Sequence, residues 1–512
     1  MTNFRLTIVT TAILLPVMVF AQFAAEKSIV SSGVTGMRNF TVADLQADGG
    51  KDVLVPIGSG GILLFESDGQ GNWDNKGKIA SSETYSGLAV TTFDKDGDGD
   101  LDILSQEYRT SAKADIGFRL NNGSNQFGAQ TYAALGPRGS DFPSTGNFWE
   151  IVASGDLNGD GKEDLMYVPY QNWGEVLHWT QNASASGLSW QNDIESDPNR
   201  IAMFDVQAYD FDGDDDLDVL VRRHWGGELV LYMNKGNGSL EDYQTVFIAK
   251  ENKTCSQPGW SWVDYQNPPP SENCPQFKFN YDVVDWDNDG DLDIVVPTDG
   301  QGDLGIYVLK NDGSAHFSSP ENLLSASDNS DEVVGGIKVS DFDGDGDNDV
   351  VAGISGERGL AVYTNENGLL TFSYTLMTGC SFSDTRTCGY KIVVTDADGD
   401  RDIDIITHTA SSIVWYENTS DVPVIATKPT VFDPVNFQLA QHTNELELTI
   451  RESFSHAPHV VLFDMVGQEV GEVSTNAKGH FLIDTHELQS GIYIVSVIAN
   501  DRRATKRVVL NR

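Results

Sequence analysis

Cysteine is scarce in this chain, with four residues in 512, and so are bases: 33 Lys and Arg stand against 76 Asp and Glu, a formal net charge of −43. Such an acidic surface repels phosphate and argues against nucleic acid or anionic lipid as a partner. Histidine is sparse as well, with His178, His224, His316 and His408 alone before residue 424. There is no G-x-S-x-G, no H-E-x-x-H and no phosphate-binding loop, so no local motif announces catalysis. Past residue 21 no apolar run is long enough to span a membrane, and none is expected. The one such run, residues 8–20, is short for a span. With Arg5 before it and the small residues Val19 and Ala21 at the cleavage positions, residues 1–21 read as a signal peptide and the mature chain as exported.

The cysteines fall into two close pairs, Cys255/Cys274 and Cys380/Cys388, neither with metal-site spacing. In an exported chain they read as two loop-stapling disulfides; four free buried thiols would suit a cytosolic protein, against which the N-terminus argues.

What the chain has in abundance is aspartate in a fixed pattern. Asp285–Asp293 reads D-W-D-N-D-G-D-L-D, with acids at positions 1, 3, 5, 7 and 9 and Gly at 6. A hard cation such as Ca²⁺ takes roughly 6–8 oxygens, which alternate carboxylates of a tight loop supply, and Gly permits the sharp turn. A solvated acidic loop is the plain alternative for a single copy. The pattern recurs seven times, starting at Asp44, Asp94, Asp156, Asp210, Asp285, Asp341 and Asp396, in steps of 50, 62, 54, 75, 56 and 55 residues. Each copy lies between two apolar stretches, such as Ile392-Val393-Val394 before Asp396 and Ile403, Ile405, Ile406 within and after it. The motifs hold 33 of the 76 acidic residues, so much of the negative charge is local cation-binding chemistry.

A period of about fifty residues with several short strands predicts the blades of a propeller. Four strands, A to D, are expected per repeat, with the acidic loop between A and B. In the fifth repeat B is Asp293–Val296, C is Leu304–Leu309 and D is Phe317–Leu324, after a turn at Asn311-Asp312-Gly313. The seventh repeat stops after strand C, Ile413–Tyr416, while residues 24–31 precede the first strand A with no blade of their own. The N-terminal segment is therefore predicted to supply the outer strand of the seventh blade and close the ring.

The copies are unequal. Position 3 is Asn158 in the third, which still offers an oxygen, and Gln46 in the first, which fits badly. Position 6 is Asp215 in the fourth and Arg401 in the seventh, where a non-Gly residue must adopt a conformation natural to Gly. Weaker binding is expected in those two, with Arg401 adding a repelling charge.

These residues resemble the FG-GAP, or VCBS, repeat family, over roughly residues 22–423. The resemblance implies a β-propeller with up to seven structural Ca²⁺ ions, position 7 offering a backbone carbonyl and positions 1, 3, 5 and 9 side chains. Those side chains are Asp44, Asp48 and Asp52 in the first loop, Asp94, Asp96, Asp98 and Asp102 in the second, and Asp156, Asn158, Asp160 and Asp164 in the third. They are Asp210, Asp212, Asp214 and Asp218 in the fourth, and Asp285, Asp287, Asp289 and Asp293 in the fifth. The sixth offers Asp341, Asp343, Asp345 and Asp349, the seventh Asp396, Asp398, Asp400 and Asp404. The resemblance is specific for fold and cation, and unspecific for activity, since the family spans adhesins, lectin-like proteins and some polysaccharide lyases.

Residues 424–440, with Pro429 and Pro434, read as a linker. Residues 441–512 alternate apolar and polar (Leu446-Glu447-Leu448-Thr449-Ile450) and predict a small β-sandwich. F-D-M-V-G-Q at Phe463–Gln468, the run Gly491–Val495 and the basic terminal strand around Lys506 and Arg507 resemble the C-terminal sorting domain of the Bacteroidetes type IX secretion system. That implies contact with the type IX machinery and release or attachment at the cell surface. The expected whole is thus all-β: a seven-bladed β-propeller followed by a small C-terminal β-sandwich, monomeric.

Loop lengths divide the propeller's two faces. The A–B loops are regular, whereas the B–C and D–A connections are long and carry both cysteine pairs. Function concentrates on such elaborated loops, and they collect Tyr108, Arg109, Arg138, Trp149, Tyr170, Trp173, Arg222, Arg223, His224, Trp225, Trp260, Trp262, Arg386 and His408. Aromatic rings stack on sugars, and Arg matches carboxylate or sulfate in fork geometry. Trp149, Trp260 and Trp262 also suit plain packing, and Arg222 and Arg223 ordinary ion pairs. Of this set, Tyr108, Arg109, Trp173, Trp225, Trp260 and Trp262 are the candidate ligand contacts. The sequence thus reads first as a surface adhesion module for a glycan or protein ligand. A polysaccharide lyase using Tyr170, His224, Arg222 and Arg223 comes second, and a purely structural surface protein third.

Overall fold

The computed structural model describes residues 23–31, 40–57, 61–80, 87–110, 113–132, 152–167, 176–184, 187–196, 203–223, 228–240, 242–248, 281–299, 304–324, 333–354, 359–378, 391–400, 402–409, 411–419, 437–441, 445–450, 459–463, 470, 473–477, 480–486, 488, 491–499 and 502–510. They form an all-β β-propeller followed by two further sheets.

Among the described residues the propeller shows seven four-stranded antiparallel sheets, one for each acidic loop. Their inner strands are β-branched runs buried on both faces, because each sheet is covered on either side by a neighbour. In the fifth sheet Ile294, Val295 and Val296 are each 0 % exposed. Alternation sends Ile294 and Val296 into a cluster with Leu220 and Leu231 of the fourth sheet, and Val295 into one with Val339 and Val350 of the sixth. Strand C of this sheet runs Leu304–Leu309 as the pattern predicts, but its outer strand is only Glu321–Asn322, plus one bridge between Asn311 and Phe317. Ser318, Ser319 and Pro320 shorten it: proline has no amide to give a ladder.

The seventh sheet is assembled from both ends of the propeller sequence. Ile392–Thr395, Asp404–His408 and Ile413–Tyr416 come from its own repeat, and Lys27–Val30 pairs antiparallel with Ile413–Tyr416 as the outer strand. The edge left open by the truncated repeat is thereby covered. Ile29, Val30, Ile406, Ile413 and Trp415 then share a cluster with Phe40, Val53 and Phe65 of the first sheet. Contact there is close enough that a Cβ on Gly71 would lie 2.3 Å from the Trp415 ring, so this position has room for glycine alone.

After residue 436, one sheet has the order Phe437–Gln441, Glu445–Ile450, His480–Asp484, Val473–Ala477, and the other His459–Phe463, Gly491–Ala499, Arg502–Leu510. Alternate residues of both meet in one cluster: Leu446, Leu448, Phe481 and Ile483 from the first, Val460, Leu462, Tyr493, Val495 and Val497 from the second. Among the described residues no helix is long and apolar enough to cross a membrane.

Candidate metal centres

Each acidic loop is a folded unit before any ion is considered. Position 1 accepts the amides that turn the chain: Asp341 takes Gly344 N at 2.7 Å on Oδ1 and Gly346 N at 3.0 Å on Oδ2. Asp94 does the same with Gly97 and Gly99, and Asp210 with Gly213 and Asp215. Position 5 accepts the amide of position 7, as in Asp98 with Asp100 at 3.0 Å. Position 9 is buried and ties the loop to its sheet. Asp349 takes the amide of Phe342 (2.9 Å) on one oxygen and that of Asn365, just past strand C, on the other (2.7 Å).

The result is a converging set of oxygens in five loops. Ligand atoms lie within 4.8 Å of one another for Asp94/Asp96/Asp102, Asp210/Asp212/Asp218, Asp285/Asp287/Asp289, Asp341/Asp343/Asp349 and Asp396/Asp398/Asp404. Burial makes these acids reluctant to ionise. It raises Asp285, Asp341 and Asp343 to about 6, Asp102, Asp218 and Asp293 to about 7, and Asp404 to about 8, with neighbouring carboxylates adding to the rise and backbone amides opposing it. Asp349, also buried, is raised well above the usual carboxylate range by that burial. Oδ1 of Asp212 and of Asp398 are buried without a hydrogen-bond partner. Oxygen-only donors, mutual repulsion and orphaned oxygens suit a hard divalent cation, which would satisfy all three.

The first and third loops differ at position 3, as their sequences suggest. Gln46 turns outward and donates to Glu66. Asn158 stays inside, but its amide donates to Asp164 at 2.7 Å, occupying an oxygen of position 9.

Three recurrent features escaped the sequence reading. Position 4 has positive φ in every copy, at Ala47, Gly97, Gly159, Gly213, Asn288, Gly344 and Gly399 (54° to 82°), so the loop needs two left-handed residues rather than one. The signal was the Gly at this position in five of seven copies. In the second, fourth and fifth copies position 7 rests on its own C–D turn: a Cβ on Gly123, Gly236 or Gly313 would come within 2.4–2.6 Å of Asp100, Asp216 or Asp291. Finally, an Asn after strand C fastens the neighbouring loop. Asn121, Asn234, Asn311 and Asn418 donate Nδ2 to the position-2 carbonyls of Leu45, Leu157, Phe211 and Phe342, at 2.7–2.9 Å. The same Asn backbone amides feed position 9, so loop, sheet and next sheet share one hydrogen-bonded chain.

The expected ligand face needs correction where it can be described. Tyr108 and Arg109 are not on a loop but in the strand Asp102–Thr110, whose hairpin with Lys113–Arg119 continues to the pair Thr110–Lys113. Arg222 and Arg223 likewise end the strand Asp218–Arg223, and Arg222 is 4 % exposed because strands pair with it on both sides. His408 ends Asp404–His408 and is 1 % exposed, with Nδ1 facing Thr409 O at 3.1 Å. Burial removes both from any accessible face. Arg138, Trp149, Tyr170, Trp173, His224, Trp225, Trp260, Trp262, Arg386 and Cys255, Cys274, Cys380 and Cys388 lie outside the described residues.

Against known families, residues 44–105, 156–221 and 341–407 match the FG-GAP-like repeat, and residues 442–511 match the secretion system C-terminal sorting domain. No curated protein matches the chain. Among solved structures, an Agrocybe aegerita lectin described as recognising non-reducing terminal N-acetylglucosamine is 17 % identical, with TM-score 0.47, covering 76 % of this chain and 87 % of its own. A Burkholderia pseudomallei lectin is 14 % identical, with TM-score 0.45 and coverages of 79 % and 99 %. The Aleuria aurantia lectin, described as a six-bladed β-propeller with fucose recognition, is 13 % identical, with TM-score 0.36 and coverages of 68 % and 99 %. That blade count belongs to the lectin; the described residues here hold seven four-stranded propeller sheets. Likeness at this level carries no argument about what this chain binds.

Proposed function

For a chain that carries FG-GAP-like repeats and a secretion-system sorting domain, and is thereby secreted or attached at the outer-membrane surface, we propose a calcium-stiffened binding module. In this reading the seven sheets are the blades of one closed ring, the two sheets after residue 436 form a small sandwich, and Ca²⁺ occupies the acidic loops. The ring then presents a rigid face to a glycan or protein ligand outside the cell.

The observation that carries this reading is the repetition of a three-carboxylate group in the A–B loops of five sheets, from positions 1, 3 and 9 in four of them and 1, 3 and 5 in the fifth loop. A reaction centre needs one asymmetric assembly of groups, whereas a device repeated around a ring serves the ring. Ca²⁺ there neutralises acids that burial and mutual repulsion destabilise, and pins each A–B hairpin to its sheet through positions 1 and 9. A ligand then meets a preorganised surface and orders little on binding.

Elemental analysis of the gel-filtered full chain tests the metal: about five calcium ions are expected from the five constellations, and zero or one overturns the reading. Exhaustive chelation should lower the melting temperature by on the order of 10 °C or more, each ion at a hundredfold excess over its Kd contributing about 2.7 kcal/mol. A glycan array probed with the calcium-loaded chain tests the ligand class. Bound glycans that are lost on chelation support the module. New ultraviolet absorbance from uronic-acid polysaccharides would overturn it in favour of a lyase.

A further inference from the structure

The outer edge of the seventh sheet is a receiving site with contacts of its own for each residue that docks there. Its strand Ile413–Tyr416 takes Lys27–Val30 with Lys27 opposite Trp415, Ser28 opposite Val414 and Val30 opposite Ile413. The Phe23 ring lies 5.8 Å from that of Phe342 and 5.9 Å from that of Tyr374. The Ala24 amide donates to Glu417 O at 2.7 Å, and Glu26 accepts the Tyr416 hydroxyl at 3.1 Å. Lys27 donates to the Glu417 carboxylate at 2.6 Å and stands 4.3 Å over the Trp415 ring. Ile29 and Val30 are buried in a cluster with Phe40, Val53 and Phe65 of the first sheet. An aromatic, an acid, a base and two aliphatic residues in that order make a demanding pattern. Main-chain pairing gives such an edge its affinity, and the side-chain contacts give it selectivity.

The strand that fills this edge is held by few local constraints. Four residues form it, with a register shift between Ser28 and Val30. Lys27 and Glu417 are 390 positions apart, so the chain gains this pairing only by closing a very long loop. The junction with the first sheet also lacks a fastening that four others have. Asn121, Asn234, Asn311 and Asn418 each hold the position-2 carbonyl of the preceding sheet's loop. Where the seventh sheet meets the first, the equivalent residue is Ser67, whose hydroxyl accepts the Gly69 amide of its own turn at 3.1 Å.

We propose that this edge is an interface between two copies of the chain: the N-terminal strand of one copy leaves its own seventh sheet and docks on that of a second, which returns its own strand in exchange. Every copy carries both the edge and the strand that matches it. Each contact above is the same whichever copy supplies the strand, so the exchange forfeits no interaction. Two costs oppose it. A short tether keeps the strand near its own edge at an effective concentration on the order of 1 mM. Each copy also carries a formal charge of −43, and like charges repel. The closed single chain therefore dominates in dilute solution. Exchanged pairs form where copies are crowded and salt screens them, as for chains attached side by side at a cell surface. The exchange is independent of what the acidic loops hold.

The Lys27–Glu417 ion pair lets the wild-type chain report on itself, because a carbodiimide joins an ammonium and a carboxylate in direct contact. Full chain labelled with light and with heavy nitrogen is mixed, concentrated to about 1 mM in physiological salt, and held a few degrees below its melting temperature. It is then cross-linked and separated by size. In the doubled-mass fraction about half of the Lys27–Glu417 cross-links should join a light peptide to a heavy one, as random pairing of exchanged copies requires. The Lys76–Glu66 pair, which lies within the first sheet, should cross-link only light to light and heavy to heavy. A doubled-mass fraction whose Lys27–Glu417 cross-links are all of one isotope means that the copies meet elsewhere, and overturns the proposal, as does the absence of any doubled-mass fraction. Charge reversal sharpens the result. Lys27→Glu and Glu417→Lys each set like charges against one another in a single chain, whereas a mixture of the two variants pairs opposite charges across copies. The mixture should give several-fold more doubled-mass protein than either variant alone; equal amounts overturn the role of this edge.

Discussion

The sixth and first acidic loops start from almost the same pattern and end as different objects. In the sixth, Asp341, Asp343 and Asp349 are 4 %, 5 % and 1 % exposed and their oxygens converge. In the first, Asp44 and Asp52 are buried in the same roles, and Asp44 still accepts the amides of Asp48 and Gly49. But Gln46 leaves to meet Glu66, and Ala47 sits at φ 54° where five other copies have glycine. The first loop keeps the turn and loses the constellation. The hydrogen-bonded scaffold and the cation cage are therefore separable: positions 1 and 9 build the turn, and position 3 decides whether oxygens converge.

The largest effect that can break this comparison is on pH dependence, because it sums over all loops. Without calcium, Asp341 and Asp343 are raised to about 6 and Asp102, Asp218 and Asp293 to about 7, so the folded chain holds protons that the unfolded chain releases. That contribution is full below the unfolded pKa of about 4 and is lost as pH rises through about 6–7. Calcium-free protein should melt at a lower temperature at about pH 8 than at about pH 5. Excess calcium, which needs the ionised carboxylates, should flatten or reverse that slope. A calcium-free melting temperature that climbs with pH would contradict the picture.

Next in size is Asp343→Ala in the sixth loop against Asp44→Ala in the first. Losing position 3 of the sixth should remove one ion and about 2–3 kcal/mol, measured only when calcium is present. Losing Asp44 leaves two amides without their acceptor and should cost about 1–3 kcal/mol equally with and without calcium. Equal calcium sensitivity in the two variants would show that the first loop is also a cage. Gln46→Asp should restore position 3 and raise the calcium count by one, visible by elemental analysis; an unchanged count would mean that position 3 is not what the first loop lacks. The smallest effect is Ala47→Gly. It should stabilise by about 1 kcal/mol, independent of calcium, by relieving a left-handed alanine, read as a rise in melting temperature.

Much of this was legible in advance because it is written locally. The Asp spacing marks the loops, β-branched runs flank them, and the missing strand after Tyr416 together with the spare segment around Ile29 foretells how the seventh sheet is completed. The Asn after strand C was equally repetitive, at Asn121, Asn234, Asn311 and Asn418, but its meaning lies in a carbonyl 76–100 residues earlier, which no local rule points to. Arg222, His408, Tyr108 and Arg109 were misplaced for the opposite reason. Polar residues at strand ends look like loop residues until pairing partners on both sides are known.

The amino-acid sequence by itself determined the repeat, the oxygen-rich loops, the order of strands within each sheet and the C-terminal sorting domain, because spacing and alternation act over a few residues. Only the tertiary structure decided which oxygens converge. Asp343 and Gln46 occupy the same position, yet one is enclosed and the other drawn out by Glu66. Asp402 is 2 % exposed whereas Asp347, at the same position of the sixth loop, is exposed. Burial and proximity belong to the assembled fold, and they set the charge cost that makes a carboxylate a ligand.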